Sequence, residues 1–288
     1  FDLGKEVNVI TAPTSAGLAR WQAEPDKFTI VQMVSPGSTY WNTMNVQKPP
    51  LDELAVRQAI NYAVDRETIV NTLLKGISEP TTSPLAPTTL YFNPDAGKQY
   101  TYDPAKAQQL LEDAGWIDSN GDGVREKDGK DLEVEIFQSA NMAKDLYKEL
   151  MCAQLDQVGF RCIVREAEPA LRNELGQSGS VHMVPLSVEG LDPKVLSGPL
   201  HSRNVDGFNF CKVQDTKLDA LLDGADAAVD PEERRALVME IQDYIMEQAY
   251  VLPVHAPYMV WVTRSEVKGL LPDANGWWPY FQDVDIVK

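Results

Sequence analysis

Residues 56–67 read VRQAINYAVDRE, and no other stretch of the chain says as much about the fold. Leu54, Ile60 and Val64 are spaced to lie near one helical face, and the small Ala59 allows close packing beside it. The pattern predicts a buried amphipathic helix.

A break and a second helix follow at Asp65. Asp65 is a suitable N-cap residue, with Thr68 in the first turn of the helix that it would begin. This helix is predicted from Glu67 to Lys75, where Gly76 ends it. Alone, the pattern indicates only a pair of core helices.

Helix and strand patterns alternate along the remainder of the chain, which predicts the α/β class. The proline-rich residues 79–94 are predicted to form a long ordered loop. A strand–helix–strand order between residues 132 and 164 predicts parallel neighbouring strands. The predicted strands are 28–34, 39–45, 132–137, 160–164, 181–186, 251–254 and 259–262. The predicted helices are 104–114, 142–158, 169–175, 218–227 and 231–249.

Composition limits the functions that the chain can have. Its 288 residues, 43% hydrophobic and 24% charged, suit one large domain or two smaller ones. The net charge of −17 argues against a nucleic-acid partner and against docking on an anionic membrane. No apolar run approaches the roughly 20 residues of a membrane span, and residues 1–7 lack the basic and apolar regions of a signal peptide.

The spacing of two of the three cysteines leaves two possibilities for them, and one of these is a disulfide. Cys152 lies in a predicted helix about 10 Å before Gly159, and Cys162 lies in a predicted strand about 10 Å after it. A helix that reverses into its strand would bring the two side by side. The alternative is a pair of small buried thiols, with Cys211 free in either case.

Residues 118–126, DSNGDGVRE, are similar to a calcium-binding loop. Oxygen-bearing side chains stand at positions 1, 3, 5 and 9 and a glycine at position 6, but position 12 is Gly129 instead of a bidentate glutamate. A turn built from Asn-Gly and Asp-Gly is the favoured alternative. We therefore expect no metal site here.

The sequence contains no motif of an established catalytic site. His182, His201 and His255 lie far apart and lack metal-ligand spacing, so we expect structural roles for them. There is no G-x-S-x-G motif, no H-E-x-x-H motif and no glycine-rich phosphate loop. We expect a protein that is not an enzyme and has no cofactor.

Several segments, taken together and in order, resemble the large extracellular solute-binding proteins of family 5, which deliver peptides, nickel or other solutes to ABC importers. These segments are Tyr40–Pro50, the helix pair described above, Tyr102–Trp116, Leu155–Val164, Asp230–Val254 and Val267–Gly269. They match the family's hinge strand, helix pair, YDP-x-KA helix, helix-to-strand return, and C-terminal helix with its closing strand. The resemblance covers nearly the whole chain.

The resemblance implies a periplasmic-binding-protein-like (type II) lobe, in which a mixed sheet is flanked by helices, with remnants of the other lobe. Residues 1–45 would be a remnant of lobe I and the hinge strand. Residues 46–250 would form lobe II, and residues 251–288 would return to lobe I. Because family members are usually longer, the chain would be a truncated piece or a shortened homologue.

The resemblance also implies a function. The protein would be the substrate-binding component of an ABC importer, capturing a small, peptide-like solute by lobe closure and delivering it to the membrane permease subunits. Its location would be periplasmic or extracellular, associated with the membrane through the transporter, and we expect a monomer. The alternatives are an α/β hydrolase or transferase with an unrecognised site, and a regulatory or adhesive protein built on a binding-protein lobe.

Glu189 is the first candidate ligand contact. It follows a predicted apolar strand, where a loop faces a cleft. In the peptide-binding members an aspartate four residues before the corresponding proline holds the α-amine of the ligand, and Pro193 puts Glu189 at that position. Leu186 replaces the family's aromatic residue, and an exposed acid in a turn is the alternative for Glu189. Asp192 is a further candidate, although a helix cap is its favoured role.

Other residues of the cleft wall are expected on the hinge strand and in the loop after Arg203. Aromatic rings with a few polar groups suit a ligand cleft. The candidates are Tyr40, Trp41, Asn45, Phe208 and Asn209. Core packing is the alternative for Trp41, and Trp277 and Trp278 are expected at the surface.

Overall fold

The computed structural model describes residues 9–140, 145, 147–273 and 279–287. Strands β1 to β14 are Val9–Thr11, Phe28–Val34, Tyr40–Met44, Ser78–Pro80, Glu126–Lys127, Lys130–Asp131, Glu133–Ser139, Arg161–Ala167, Met183–Leu186, Val251–Arg264, Val267–Lys268, Leu271–Pro272, Pro279–Tyr280 and Asp285–Ile286. Helices α1 to α9 are Ser15–Gln22, Leu54–Ala63, Arg66–Leu73, Pro104–Asp113, Lys148–Asp156, Leu171–Ser178, Ser197–Leu200, Thr216–Ala227 and Pro231–Glu247. Trp277 and Trp278 lie outside the described residues.

The predicted helix pair is confirmed as α2 and α3. Asp65 caps α3, because its Oδ1 accepts the backbone N–H of Thr68 at 3.0 Å. Ile60 is fully buried, whereas Leu54 is 37% exposed, so its predicted place on the buried face is wrong. Six residues at about 100° each put Leu54 roughly 120° around the helix from Ile60. The second helix also ends earlier than predicted, at Leu73.

A mixed sheet organises the chain, and this confirms the predicted α/β class. Its strand order is β1-β10-β3-β9-β7-β8, with β2 and β4 also paired to β10. Strand β7 runs parallel to β8 and to β9, whereas β3 runs antiparallel to β9 and β10. The predicted parallel unit between residues 132 and 164 is therefore confirmed.

The last long strand, β10, is one element where the sequence predicts two. It pairs first with β3 through Val251↔Thr43, and its register shifts between Pro253 and His255. Beyond that shift it pairs with β4 and then with β2. The proline at position 257 cannot donate a ladder hydrogen bond, yet the strand does not end there. The strand instead changes partners there.

Two apolar cores lie on opposite faces of the sheet. Successive strand residues point to opposite faces, so Tyr40 belongs to one core and Trp41 to the other. The first core includes residues of α2, α4 and α5, and the second includes residues of α8 and α9. Helices therefore cover both faces, as predicted.

Helix α5 is shorter than the predicted helix over 142–158. It begins at Lys148 and ends at Asp156, while residues 142–144 and 146 lie outside the described residues. Strand β8 follows after Gly159 and runs to Ala167.

The disulfide between Cys152 and Cys162 is present, which decides between the two alternatives. The two Cα atoms lie 5.1 Å apart, so α5 and β8 are joined where the helix reverses into the strand. Cys211 is a free, buried cysteine, as expected.

Candidate functional site

The carboxyl ends of β7, β8 and β9 lie at one edge of the sheet, because the three strands are parallel. We call this the carboxyl edge. It comprises Ala140, Asp145, Tyr147 and Lys148 after β7, Ala167 at the end of β8 with residues 168–172 after it, and residues 187–191 after β9. The backbone N–H of Ala140 donates to the carbonyl of Ala167 at 2.9 Å. Ligands of open α/β sheets bind outside this kind of edge.

Both crossing strands reach the same edge. Strand β3 is antiparallel to β9, with Trp41 opposite Leu186, so Tyr40 stands at the carboxyl edge. Strand β10 is antiparallel to β3, and its His255 is the partner of Tyr40. The topology thus brings Tyr40 and His255 beside residues that lie 100 positions or more away in the sequence.

A buried ion pair occupies the centre of the edge. Lys148 Nζ lies 2.9 Å from Asp145 Oδ1, and both side chains are 0% exposed. Asp145 Oδ2 accepts the backbone N–H of Ser139 at 2.6 Å, and Tyr40 also hydrogen-bonds to this carboxylate. Asp145 therefore ties together the end of β7, the start of β3 and the start of α5.

Aromatic rings surround the lysine ammonium. Lys148 Nζ lies 3.6 Å from the ring centroid of Tyr147 and 5.6 Å from that of Tyr40, within cation–π range. The Tyr40 ring stacks on His255 at 4.9 Å, and Tyr147 meets the same imidazole edge-on at 5.6 Å. Asn42 Nδ2 donates to the Tyr147 hydroxyl at 3.1 Å.

Burial governs the titration of these groups. Desolvation lowers the pKa of Lys148 to about 8, and the attraction of Asp145 only partly opposes it. Desolvation also raises the pKa values of Tyr40 and Tyr147 well above their usual range, and the charge of Asp145 adds to both shifts. Both tyrosines are therefore neutral hydrogen-bonding groups at physiological pH.

Glu189 lies beside the chain segment that leads into β3. Gly37 and Glu189 form an isolated antiparallel bridge, and the N–H of Ser38 donates to the Val188 carbonyl at 2.8 Å. Gly37 has φ +120°, and a Cβ there would lie 2.1 Å from Val188 O, so the close approach requires glycine. The half-buried Glu189 thus stands near Tyr40 at the carboxyl edge.

Asp192 has the capping role that the sequence favours. Its Oδ1 accepts the N–H of Lys194 at 2.8 Å at the start of a short 3-10 helix, Pro193–Leu196, and forms an ion pair with Arg234 at 2.7 Å. Burial works to raise the pKa of Asp192, but these hydrogen bonds hold it below its usual range. Its role as a ligand contact stays a prediction.

The remaining candidates do not join this group. Trp41 is 0% exposed and packs in the second core, so the core-packing alternative describes it. Asn209 is also 0% exposed and holds its loop through the carbonyls of His201 and Val213. These two side chains are closed off from solvent in this structure.

The last two candidates, Asn45 and Phe208, have partners of their own. Asn45 follows the far end of β3, roughly 17 Å from Tyr40 at about 3.3 Å per residue, and its side chain donates to Gly179 O at 3.3 Å. Phe208 is half-buried and packs edge-on against Phe210 at 5.3 Å. Of the sequence candidates, the structure brings together Tyr40 and Glu189.

The candidate site also contains four residues that the sequence did not predict, namely Asp145, Tyr147, Lys148 and His255. One signal was available for Lys148, which precedes the buried Met151 and Leu155 by three and seven residues. It therefore lies on the core-facing side of α5, where an unpaired lysine is rare. No comparable pattern marks Asp145.

Two of the histidines hold neighbouring loops. His182 Nδ1 accepts the N–H of Glu135 at 3.0 Å, and Nε2 lies 3.0 Å from Pro49 O, so the neutral Nε2–H tautomer satisfies both contacts. Burial lowers the pKa of His182 to about 4. His201 contacts Asp219 and Asp223 at 3.2 and 3.1 Å.

The DSNGDGVRE segment forms a turn whose oxygens bind backbone N–H groups. Asp118 accepts from Gly121 at 2.7 Å and from Gly123 at 3.0 Å, and Asp122 accepts from Val124 at 2.9 Å. The turn alternative therefore describes this segment. Within the described ranges, no group of three or more His, Cys, Asp or Glu side chains is arranged to hold a metal ion.

A surface pocket of about 470 Å³ lies away from the carboxyl edge, at the start of α3. Several of its polar groups are already engaged. Asp65 caps α3, and Arg66 donates to the carbonyls of Pro253 and Asn61 at 2.7 and 3.0 Å. We therefore place the candidate site at the carboxyl edge and not in this pocket.

Among the residues that the structure describes, no helix is long and apolar enough to cross a membrane.

Curated relatives match most of this chain. It is 28% identical over 274 residues to heme-binding protein A of Haemophilus influenzae, covering 94% of this chain and 48% of the relative. It is 29% identical over 265 residues to the nickel-binding periplasmic protein of Escherichia coli, covering 89% and 49%. The dipeptide-binding protein of E. coli is 28% identical over 288 residues, with 98% and 51% covered. The chain spans about half the length of these relatives.

Solved structures confirm the predicted type II periplasmic-binding-protein-like fold. NikA from Brucella suis, in complex with Fe(III)-EDTA, superposes with a TM-score of 0.86 at 24% identity, covering 98% of this chain and 58% of NikA. DppA from Helicobacter pylori, in complex with the peptide STSA, gives 0.81 at 22% identity, covering 98% and 53%. At these identities the likeness concerns the fold alone.

The family follows from the sequence match. Residues 1–197, more than half of the chain, match the bacterial extracellular solute-binding proteins, family 5 Middle. Members of this family are binding proteins, and the comparisons do not support the alternative of an α/β enzyme. The chain belongs to the family 5 bacterial extracellular solute-binding proteins.

Proposed function

We propose that this chain is part of the substrate-binding component of an ABC importer and that it captures a small, peptide-like solute outside the cytoplasmic membrane. The protein would act as a monomer, deliver its solute to the permease subunits, bind no nucleic acid and catalyse no reaction. Membership of the family supports this, as do relatives named for dipeptide, nickel and heme binding.

The carboxyl edge is the observation that carries the proposal. It combines a half-buried carboxylate, Glu189, with aromatic Tyr40 and the pre-ordered pair Asp145–Lys148. A carboxylate beside a desolvated surface is a good partner for an ammonium group. Side chains locked by buried contacts give a site that needs little ordering when a ligand binds.

Lobe closure would then shield the solute from water. In this proposal residues 1–45 and 251–288 belong to lobe I and residues 46–250 to lobe II. The pairing of β3 with β10 supports a double crossing between the lobes, because β3 ends and β10 begins where the chain passes between residues assigned to different lobes. Hinge closure needs only a few residues at the ends of such elements to change their backbone angles.

Native mass spectrometry of the protein at its natural length tests the function. We expect a small solute of discrete mass to co-purify and to be released on denaturation. Glu189→Gln should weaken binding of a solute with a free amine about 10- to 100-fold, since a hydrogen bond to a charged group contributes about 1.5–3 kcal/mol. Glu232→Gln, on the exposed first turn of α9, is the matched control.

Two results would contradict the proposal. One is the absence of any bound solute together with no shift in Tm on adding short peptides, amino acids or metal complexes. The other is turnover of a substrate by the purified protein, which would restore the enzymatic alternative.

A further inference from the structure

The surface pocket of about 470 Å³ at the start of α3 has the size of a small-molecule site and shares no residue with the carboxyl edge. We call it the α3 pocket. Residues 64–67 form one wall, and residues 80–83, which follow β4, form another. Small-molecule sites combine an apolar lining with a few polar groups. The apolar lining here consists of prolines and aromatic rings, namely Pro80, Phe92, Pro94, Tyr100 and Tyr102.

A buried guanidinium lines the α3 pocket. Arg66 is 6% exposed, and desolvation lowers its pKa to about 10, so it is charged at physiological pH. Its Nε donates to Pro253 O and its Nη2 to Asn61 Oδ1, at 2.7 and 2.9 Å. Its Nη1 donates to the carbonyls of Asn61, Val64 and Tyr100. These bonds occupy the N–H of Nε, both of Nη1 and one of Nη2, so the second N–H of Nη2 has no acceptor among the described residues.

The carboxylates that line the same pocket are less buried than Arg66 and have donors of their own. Asp65 is half-buried, and its two oxygens accept the backbone N–H and the hydroxyl of Thr68 at 3.0 and 2.6 Å. Glu67 is exposed and accepts from Asn71 at 3.3 Å. Electrostatic attraction is strongest where water is excluded, so the guanidinium dominates the field in the deep part of the pocket.

Hydroxyl groups add further donors to the lining. Thr81 Oγ1 accepts the N–H of Ser83 at 3.1 Å, and Ser83 Oγ accepts the N–H of Leu85 at 3.3 Å. Each hydroxyl therefore keeps its own O–H to donate, and neither O–H has an acceptor within the part of the chain that the structure describes. The α3 pocket thus presents more donors than the protein satisfies, which suits a ligand that is rich in acceptors.

We propose that the α3 pocket is a second binding site, separate from the solute site, for a small carboxylate that carries an aromatic ring. The carboxylate accepts hydrogen bonds from Arg66, Thr81 and Ser83. The ring packs against the aromatic wall that Phe92 and Tyr102 contribute. A hydrogen bond between a guanidinium and a carboxylate is about twice as strong as one between neutral groups, so an acid is favoured over its neutral amide. This inference does not depend on the proposed solute-binding function.

Fluorine NMR titration of the protein at its natural length tests the inference. The probes are 4-fluorobenzoate and its neutral counterpart 4-fluorobenzamide. We expect the acid to bind about 10-fold more tightly than the amide, because only the acid forms a charge-assisted hydrogen bond. Tyr102→Ala should weaken binding of the acid about 2- to 10-fold, on the scale of one lost aromatic contact. Tyr102 is 45% exposed, and the matched control is Tyr280→Ala, which removes a 53% exposed ring from β13 and should leave the affinity unchanged.

Several results would overturn the inference. They are the absence of binding by either probe, equal affinity for the acid and the amide, and an affinity for the acid that Tyr102→Ala leaves unchanged. Arg66→Gln should bind the acid and the amide equally, and a preference for the acid that persists in this variant also overturns the inference. If Arg66→Gln is unfolded by circular dichroism, the comparison of the two probes on the wild type and on Tyr102→Ala decides. The co-purification experiment tests the solute-binding function separately, so failure of one proposal leaves the other standing.

Discussion

The buried pair Asp145–Lys148 yields a prediction about the order of two substitutions. Asp145→Leu leaves the Lys148 ammonium without a counter-charge and removes the acceptor of the Ser139 N–H and of Tyr40. Breaking a buried pair in this way costs about 3–5 kcal/mol. Lys148→Met leaves a carboxylate that keeps both of those hydrogen bonds. We therefore expect Asp145→Leu to lower the free energy of unfolding more than Lys148→Met does.

The pKa of Lys148 gives the pH dependence of the same pair. Because burial lowers it from 10.5 to about 8, the unfolded chain holds more protons than the folded chain between pH 8 and 10.5. Stability rises with pH wherever the unfolded state binds more protons. A shift of this size corresponds to roughly 3 kcal/mol. The free energy of unfolding of the wild type should therefore rise between pH 8 and 10.5 relative to that of Lys148→Met.

Urea unfolding of the wild type, both single variants and the double variant at pH 7 and 9.5 measures these terms. The double variant should recover much of the stability that Asp145→Leu loses, because no uncompensated charge remains. The reasoning is refuted if Lys148→Met is the more destabilising single variant at pH 7. It is also refuted if wild type and Lys148→Met change in parallel between the two pH values.

Other residues give predictions that need one measurement each. Burial lowers the pKa of His182 to about 4, so its contribution to stability should fall by up to roughly 3 kcal/mol as the pH drops from 6.5 to 4. His182→Gln should therefore flatten that part of a curve of stability against pH. Replacing Cys152 and Cys162 together by alanine should lower the free energy of unfolding by about 3 kcal/mol, from the loop-closure entropy of their separation of 10, and equal urea midpoints would contradict this. Calcium should leave the Tm unchanged, because Asp118 already accepts two backbone N–H groups. A rise in Tm with calcium that Asp118→Asn abolishes would instead favour a calcium-binding loop.

Local sequence patterns were enough for the elements whose causes are local. The cap at Asp65 and the periodic apolar residues predicted α2 and α3, and the helix-to-strand return at Gly159 predicted a chain reversal that allows the disulfide. The error at Leu54 also has a local cause, since a position six residues from Ile60 faces elsewhere on a helix of 3.6 residues per turn.

Long-range pairing explains where the predictions failed. Strand β10 continues past Pro257 because β4 and then β2 supply new partners, and no pattern within residues 251–264 reveals those partners. Trp41 is an aromatic residue of the kind that lines ligand clefts. Because side chains alternate along a strand, however, its ring points into the second core. A propensity or a motif describes one segment, whereas burial depends on what the sheet places against it.

The carboxyl edge shows why the site itself was harder to predict than the fold. Its residues come from separate elements. Tyr40 lies on one crossing strand and His255 on the other, Asp145 follows a strand, and Lys148 begins a helix. Each of them alone resembles an ordinary core or surface residue. Only the order β10-β3-β9-β7 makes them neighbours. Once that order is known, one kind of residue helps to locate the site. It is a charged residue on the core-facing side of a helix that follows a parallel strand. Such a residue indicates a nearby partner, because an unpaired buried charge is too costly to keep. Lys148 is such a residue, and its position on α5 requires a partner near the end of β7, where Asp145 lies.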